Sequence, residues 1–303
     1  MRVPLDHTTT DIRDGLIAGL VAYVIWGILP IYFKIIGAVD PLEVLTHRVI
    51  WAIPFGAIIL TARRQWPEIR RALGHQRMMG WLSLSALLIA LNWFAYIWAI
   101  QDGRIFETSL GYYINPLTNM LVGVVFFHER LRRLQSLAVA LATIGVLVLA
   151  ISGGQVPWIG LFLALSFTSY AVIRKKVVIG AMPGLFVETL LLLPFALIWL
   201  GWLYASAAPA FASGDTALNF WLIMAGPITA LPLLCFALAA RRLPLTMIGF
   251  MQFLSPTLQF CTGIYYGEQL TPAHLVCFGF IWLAVIFFSV DAARSSRRVP
   301  ATP

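Results

Sequence analysis

Charge is scarce in this 303-residue chain. Asp, Glu, Lys and Arg together make up 11% of it, and only 13 residues are acidic. Soluble domains carry about 25% charged residues, so an ordinary water-soluble globule is excluded. Cysteine is as sparse. Cys235, Cys261 and Cys277 each fall in an apolar stretch, with no CxxC spacing, so neither a disulfide framework nor a metal site is expected. The five histidines do not cluster, and no HExxH, GxSxG or P-loop pattern occurs. The commonest signatures of hydrolytic and nucleotide-driven chemistry are therefore missing, and no cofactor is implied.

What fills the chain is apolar sequence: 60% of residues are hydrophobic. Windows near the ~20 residues needed to cross a bilayer recur throughout. Ten are expected as helices, at 14–36, 42–61, 78–99, 106–127, 133–151, 157–177, 183–204, 218–239, 245–266 and 272–291. The polar remainder is a tail over 1–13, a linker at 153–156, short loops and a tail over 292–303, which leaves no soluble domain. The first span follows Asp6, Asp11, Arg13 and Asp14, with no small-residue cleavage site after a short apolar core, and reads as retained. The loop from Ala205 to Ala217, rich in Ala and Ser, reads as a solvated surface connection.

The chain is also written twice. A shift of about 140 residues brings Gly19 onto Gly160, Lys34 onto Lys175, Pro54-Phe55 onto Pro194-Phe195, Trp81-Leu82 onto Trp221-Leu222, Ala90-Leu91 onto Ala230-Leu231, and Glu129 onto Glu268. Repeat 1 would cover 14–152 and repeat 2 157–291. Five spans per copy is an odd number, so the second copy must enter the bilayer the other way round. The expected fold is an all-α membrane protein of ten transmembrane helices in two five-helix inverted-topology repeats, the plan in which secondary transporters build a midplane site.

The net charge of +8 follows the same plan. With alternate connections on opposite sides, one side collects Arg2, Arg13, Arg63, Arg64, Arg70, Arg71, Arg77, Arg130, Arg132, Arg133, Arg174, Lys175, Lys176, Arg241, Arg242, Arg294, Arg297 and Arg298, which is 18 of the 21 basic residues. The other side has Lys34 and Arg104, and Arg48 falls within a span. This places both termini in the cytoplasm. The basic balance reports topology and contact with a lipid bilayer, not a nucleic-acid partner.

Polar residues inside the spans carry the functional information, because an unpaired charge in hydrocarbon costs several kcal/mol. Glu43 and His47 are i, i+4 neighbours on the second helix, and Arg48 lies roughly 10 Å along it at ~1.5 Å per residue. Either Arg48 pins a helix end, or it is the cationic element of a substrate or gating site. Its counterpart under the repeat is Glu188, which reads as structural, as a gate contact or as a proton carrier. Lys34 opposes the charge bias and attracts an anion or caps its helix. Trp26, Asn92, Tyr112, Asn115, Gln252 and Gln259 lie within spans and suit a cavity lining, although such groups also join helices. Pro54, Pro116, Pro194, Pro227, Pro232 and Pro256 interrupt helices. Gly15 and Gly19 form a GxxxG pair, which serves a homodimer or a close helix contact within the chain.

The stretches Ala22–Lys34, Glu43–Trp51, Ser109–Leu117 with His128–Leu131, and Pro232–Phe236 with Ser255–Thr257 and Tyr266–Glu268 closely resemble the RarD branch of the EamA-type drug/metabolite transporters. The resemblance runs from about Gly15 to Asp291 and implies a ten-helix bacterial inner-membrane permease, often an exporter of small metabolites, in a branch one of whose names is linked to chloramphenicol sensitivity. One departure is His128-Glu129, where the motif usually reads Gly-Glu, as it does at Gly267-Glu268. Those glutamates read as helix-end anchors.

The expected function is alternating-access transport of a small polar or amphipathic organic solute bound between the repeats, with an anion favoured by Arg48 and Lys34. A membrane-embedded enzyme and a non-transporting receptor or scaffold are the alternatives. Topology is directly testable: a reporter fused after Gly153 should face outward and one after Pro303 inward, and the same side for both would overturn the duplication argument.

Overall fold

The structure, a computed structural model, describes residues 9–127, 131–152, 156–206, 209–243 and 245–296. Among these residues the chain forms twelve α-helices and no strand. They are α1 (Thr9–Ile35), α2 (Pro41–Ala62), α3 (Trp66–Leu73), α4 (Gln76–Gln101), α5 (Ile105–Phe127), α6 (Arg133–Ser152), α7 (Trp158–Lys176), α8 (Ala181–Ser206), α9 (Thr216–Arg242), α10 (Leu245–Gln252), α11 (Leu254–Tyr265) and α12 (Pro272–Ser296). Among the described residues seven are long and apolar enough to cross a membrane: α1, α2, α4, α6, α8, α9 and α12.

The outward faces fit lipid and not water. On α1 the exposed residues Ile17, Leu20, Val24, Ile28, Ile31 and Ile35 recur at helical spacing. On a soluble helix that outward stripe would be polar. Helix starts follow local chemistry. Asp40 caps α2 by accepting from the backbone N–H groups of Leu42 (2.9 Å) and Glu43 (3.3 Å), and Pro41 occupies the first turn, where its missing N–H costs nothing.

Two features differ from the sequence expectation. The connection between the second and third windows contains α3, whose Trp66, Ile69 and Ala72 repeat at a spacing of three; Ile69 and Ala72 are buried. Eight residues are too few to register as a span. The window at 245–266 is divided at Phe253 into α10 and α11. Pro256 explains the division: it has no N–H for the Gln252 carbonyl, and its ring crowds that oxygen. The other interior prolines, Pro54, Pro116, Pro194, Pro227 and Pro232, sit inside continuous helices.

The chain divides into two compact units, with divisions inside α1, α7 and α9 and one between α4 and α5. Unit 1 comprises Met1–Ile28, Gly103–Thr168 and Leu238–Pro303, and unit 2 comprises Leu29–Asp102 and Ser169–Ala237. The core of unit 1 is built by Phe106, Leu110 and Tyr113 of α5, Ala138 and Ala142 of α6, Phe260 of α11, and Cys277, Phe278 and Ile281 of α12. That of unit 2 gathers Leu60, Ile69, Ala72, Leu82, Ile173, Phe186 and Val187.

Glycine sets how closely helices approach. In unit 1 a Cβ on Gly111 would meet the Gly160 carbonyl oxygen at 2.7 Å, and one on Gly160 would meet the Glu107 carbonyl oxygen at 2.8 Å, so α5 and α7 run backbone against backbone. Gly15 and Gly19 are filled within unit 1: added Cβ atoms would meet Arg242 Cβ at 2.8 Å and the Met251 Cε at 2.5 Å. Of the two uses open to the GxxxG pair, this is the close contact within the chain. In unit 2, Gly226 of α9 lies on the backbone of Trp51 in α2.

Helix starts recur at a fixed distance. Pro41 and Ala181, Gln76 and Thr216, and Ile105 and Leu245 are each 140 apart, and Arg133 and Pro272 are 139 apart. The most extensive helix pairs are α6 with α12, α2 with α8, and α5 with α11, so each joins helices related by that shift.

The Gly226 contact gives a paired test. Gly226→Ala drives a methyl into main chain that cannot rotate away, and should destabilise by about 1–3 kcal/mol despite the better helix former. Gly201→Ala on α8, where a Cβ would meet nothing within 4 Å, should stabilise slightly. Thermal unfolding of the purified proteins in detergent compares them, and equal melting temperatures would contradict the α2–α9 approach.

Candidate functional site

Unit 2 holds the ionisable candidates. Seven residues into α2, Arg48 is 7% exposed, and its guanidinium carbon lies 4.0 Å from the ring centroid of Trp93 on α4. A guanidinium on an indole face is attracted by the ring quadrupole. Asn92, the neighbour of Trp93, is buried.

One turn back on α2, Glu43 and His47 are also buried. The Glu43 Oε1 accepts the backbone N–H groups of Ala210 (2.8 Å) and Phe211 (3.1 Å). His47 Nδ1 accepts from Trp51 Nε1 at 3.3 Å, which leaves a neutral ring's proton on Nε2, the nitrogen 3.9 Å from Glu43. Phe211 covers this pair, its ring centroid 4.8 Å from that of His47 and 6.2 Å from that of Trp51. The α8–α9 connection is therefore held onto α2 at Ala210 and Phe211, which corrects its reading as a plain solvated loop. The available signal was Phe211 itself, the single aromatic side chain between Tyr204 and Phe220.

Lys34 is half-buried in the last turn of α1, where the helix's unpaired carbonyls favour a cation. Nearby, the α1–α2 connection is fixed by Gln101 of α4, whose Nε2 donates to the carbonyl of Val39 at 3.1 Å.

Glu188, the repeat counterpart of Arg48, is fully buried on α8. Its Oε1 accepts from Ser85 Oγ of α4 at 2.6 Å, its Oε2 accepts from the Tyr170 hydroxyl of α7 at 3.2 Å, and Arg174 Nε lies 3.7 Å from Oε1. Arg174 also donates from Nη2 to the Gly180 carbonyl at 3.1 Å, and its guanidinium lies directly on Gly184, where a side chain would not fit. Sequence reading counted Arg174 only as a topology charge. Its placement four residues after Tyr170, one helical turn on, was the missed signal.

Unit 1 holds the amide and aromatic candidates. Gln259 of α11 is buried and donates from Nε2 to the Trp26 carbonyl at 3.2 Å and to Ser255 Oγ at 3.3 Å. Its Oε1, and Oδ1 of the buried Asn115 on α5, are buried without a hydrogen-bond partner among the described residues. An unmet buried acceptor costs about 1–3 kcal/mol. Trp26 and Tyr112 are half-buried, and so is Gln252, the last residue of α10. The α5–α11 seam is otherwise satisfied: Ser109 Oγ donates to the Pro256 carbonyl at 2.8 Å, and the Tyr113 hydroxyl lies 2.7 Å from Thr257 Oγ1.

The helix-end glutamates separate. Glu268 takes the backbone N–H groups of Ile105 (2.5 Å) and Phe106 (2.8 Å) at the start of α5, an anchoring role, with Gly267 before it at φ 76°. His128 and Glu129 lie outside the described residues, as do residues 153–155 of the linker.

With this geometry in place, known proteins give the family. The EamA-like transporter family matches residues 13–151. An uncharacterized transporter of Pseudomonas aeruginosa is 46% identical, over 96% of this chain and 98% of its own. Protein RarD of Salmonella typhi is 45% identical, over 94% and 98%, and Protein RarD of Escherichia coli is 43% identical, over 94% and 97%. The chain belongs to the RarD branch of the EamA-like transporter family. One solved crystal structure, 16% identical, covers 92% of this chain and 98% of its own at a TM-score of 0.61, and shares the fold. Membership in the RarD branch, with the apolar helices, makes this a multi-pass bacterial membrane protein and a membrane transporter.

Proposed function

We propose that this RarD-branch protein is a secondary transporter of small organic solutes that works by alternating access, exporting in the direction its branch suggests. The observation that carries the reading is Arg48: a cation held at 7% exposure inside a span, flat against Trp93. Such a group is costly to keep in hydrocarbon unless it meets a partner or a watery cavity. A carboxylate or other anionic group on an amphipathic solute suits the planar fork that a guanidinium presents. In unit 1, taken by itself, Asn115 Oδ1 and Gln259 Oε1 offer acceptors for N–H or O–H groups of a solute. Lys34 and Asn92 complete the proposed set in unit 2, and Trp26, Tyr112 and Gln252 that in unit 1.

The topology proposed is ten spans in two inverted repeats with cytoplasmic termini. It is supported by the regular spacing of helix starts and by the pairing of α2 with α8, α5 with α11, and α6 with α12. Glu43, His47 and Phe211 would close the outer end of α2. Glu188 would couple the cycle to protons: protonation cancels its attraction for Arg174 and loosens the tie between α7 and α8. No P-loop is present, so the energy must come from a gradient or from exchange.

Solute counterflow in liposomes, with solutes chosen by untargeted comparison of cells lacking and overproducing the protein, tests the site. Arg48→Met should cut exchange on the order of tenfold to hundredfold, the equivalent of one lost charged contact, with insertion retained. Arg48→Lys should recover part of it, because an ammonium lacks the planar fork. Normal exchange in Arg48→Met would make Arg48 structural. Coupling is tested separately. Glu188→Gln should lose pH-gradient-driven flux and keep zero-gradient exchange, and equal loss of both, or of neither, rules out the carrier role.

A further inference from the structure

Arg63, Arg64, Arg70, Arg71 and Arg77 fall in the short stretch that ends α2, includes α3 and begins α4. Four are exposed and Arg63 is half-buried. Among the described residues none of the five lies within ion-pair distance of a carboxylate. The acid of this stretch, Glu68, is engaged elsewhere: its Oε2 accepts the backbone N–H of Gly180, in the α7–α8 turn, at 3.0 Å.

The surface bearing these cations is fixed in place. The buried Ile69 and Ala72 dock α3 into the core of unit 2, and Trp66 meets Phe186 of α8 edge-on with ring centroids 5.6 Å apart. With 66, 69 and 72 turned inward, helical geometry turns Arg70 and Arg71 outward. Beside Arg71 opens a cleft of about 540 Å³, lined by Glu68, Met78, Val177, Val178 and Ile179 among others. Val178 at its edge is 91% exposed, an apolar tip that water does not stabilise. Because α3 joins two candidate spans over a short distance, cleft and cations sit at headgroup depth.

A row of guanidinium groups beside an apolar cleft at a bilayer surface matches one ligand chemistry. We infer that α3 and the α7–α8 turn form a binding site for an anionic glycerophospholipid. Arg70 and Arg71 take the headgroup phosphate in charge-assisted hydrogen bonds, and Val177, Val178 and Ile179 pack on the glycerol and first acyl methylenes. The site requires only that the chain be a multi-pass membrane protein and is independent of the transport reading.

Native mass spectrometry of the detergent-purified full-length protein, titrated with phosphatidylglycerol or phosphatidylcholine, tests it. The wild type should retain phosphatidylglycerol in preference to phosphatidylcholine. Arg70→Gln with Arg71→Gln should weaken that binding by about thirtyfold, two surface charges' worth. The charge-matched pair Arg133→Gln with Arg294→Gln, at exposed positions elsewhere, should leave it within a few-fold. Val178→Asp, which keeps every arginine, should also weaken it, and melting curves establish that each variant is folded. Equal binding by wild type and the Arg70/Arg71 variant, an equal loss in the Arg133/Arg294 variant, or full competition by inorganic phosphate would overturn the assignment, the last by making the site one for a free anion.

Discussion

Taking an ion out of water costs several kcal/mol even after the protein relaxes, and the buried helices of unit 2 carry Glu43, His47, Arg48 and Glu188 regardless. Much of this unit's local structure is the means by which these groups are tolerated. Glu43 draws the α8–α9 connection down onto α2, because two backbone N–H groups are what stabilise its carboxylate. Glu188 draws together α4, α7 and α8 for the same reason, through Ser85, Tyr170 and Arg174. The Arg174 guanidinium fills the space over Gly184, so a side chain there would have to displace it. Arg48 is held differently, by the face of a ring. The indole face attracts the cation through its ring quadrupole, a contact of a different kind from the hydrogen bonds that hold Glu43 and Glu188.

Packing is the second determinant. Lipid offers no hydrophobic drive for one apolar helix to prefer another, so close association depends on small residues that let backbones meet. Gly111 with Gly160 in unit 1 and Gly226 with Trp51 in unit 2 do this, while Gly56 makes room for the Phe186 ring. The units do not coincide with the halves of the sequence. Each takes helices from both, since α2 pairs with α8 in one, and α5 with α11 and α6 with α12 in the other. Neither half of the chain therefore contains the partners its own helices need, which argues that both halves must be in the membrane before either core is complete.

Element positions were legible because a membrane helix writes its length and outward face directly into composition. The window expected at 42–61 meets α2, Pro41–Ala62, to within a residue at each end. What escaped was short or tertiary. In α3, eight residues with an inward spacing of three fall below the length at which apolar periodicity stands out. The break at Phe253 was implicit in Pro256, but six other prolines interrupt helices without dividing them, Pro30 included. At the site, Arg48, Glu43 and Glu188 were found as charges out of place, a purely local signal. Their partners were not, because Phe211, Arg174 and Ser85 have ordinary explanations in sequence: a loop aromatic, a topology charge and a helix serine. Only a fold brings a residue 103 or 168 positions away into hydrogen-bond range.

Positions related by the shift of 140 began, on the duplication reading, as the same residue in the same helix, and Arg48 and Glu188 now carry opposite charges on the paired helices α2 and α8. Their surroundings have diverged with them: a Trp93 face beside Arg48, and two hydroxyl donors with the Arg174 guanidinium around Glu188. A symmetric pair of buried cations or buried anions would repel and raise each other's desolvation cost, whereas opposite charges avoid that penalty. Divergence to opposite sign is thus the change that lets a duplicated helix pair keep an ionisable group in both members. It also leaves the two positions chemically distinct, a guanidinium on an indole face in α2 and a carboxyl among Ser85, Tyr170 and Arg174 at α8.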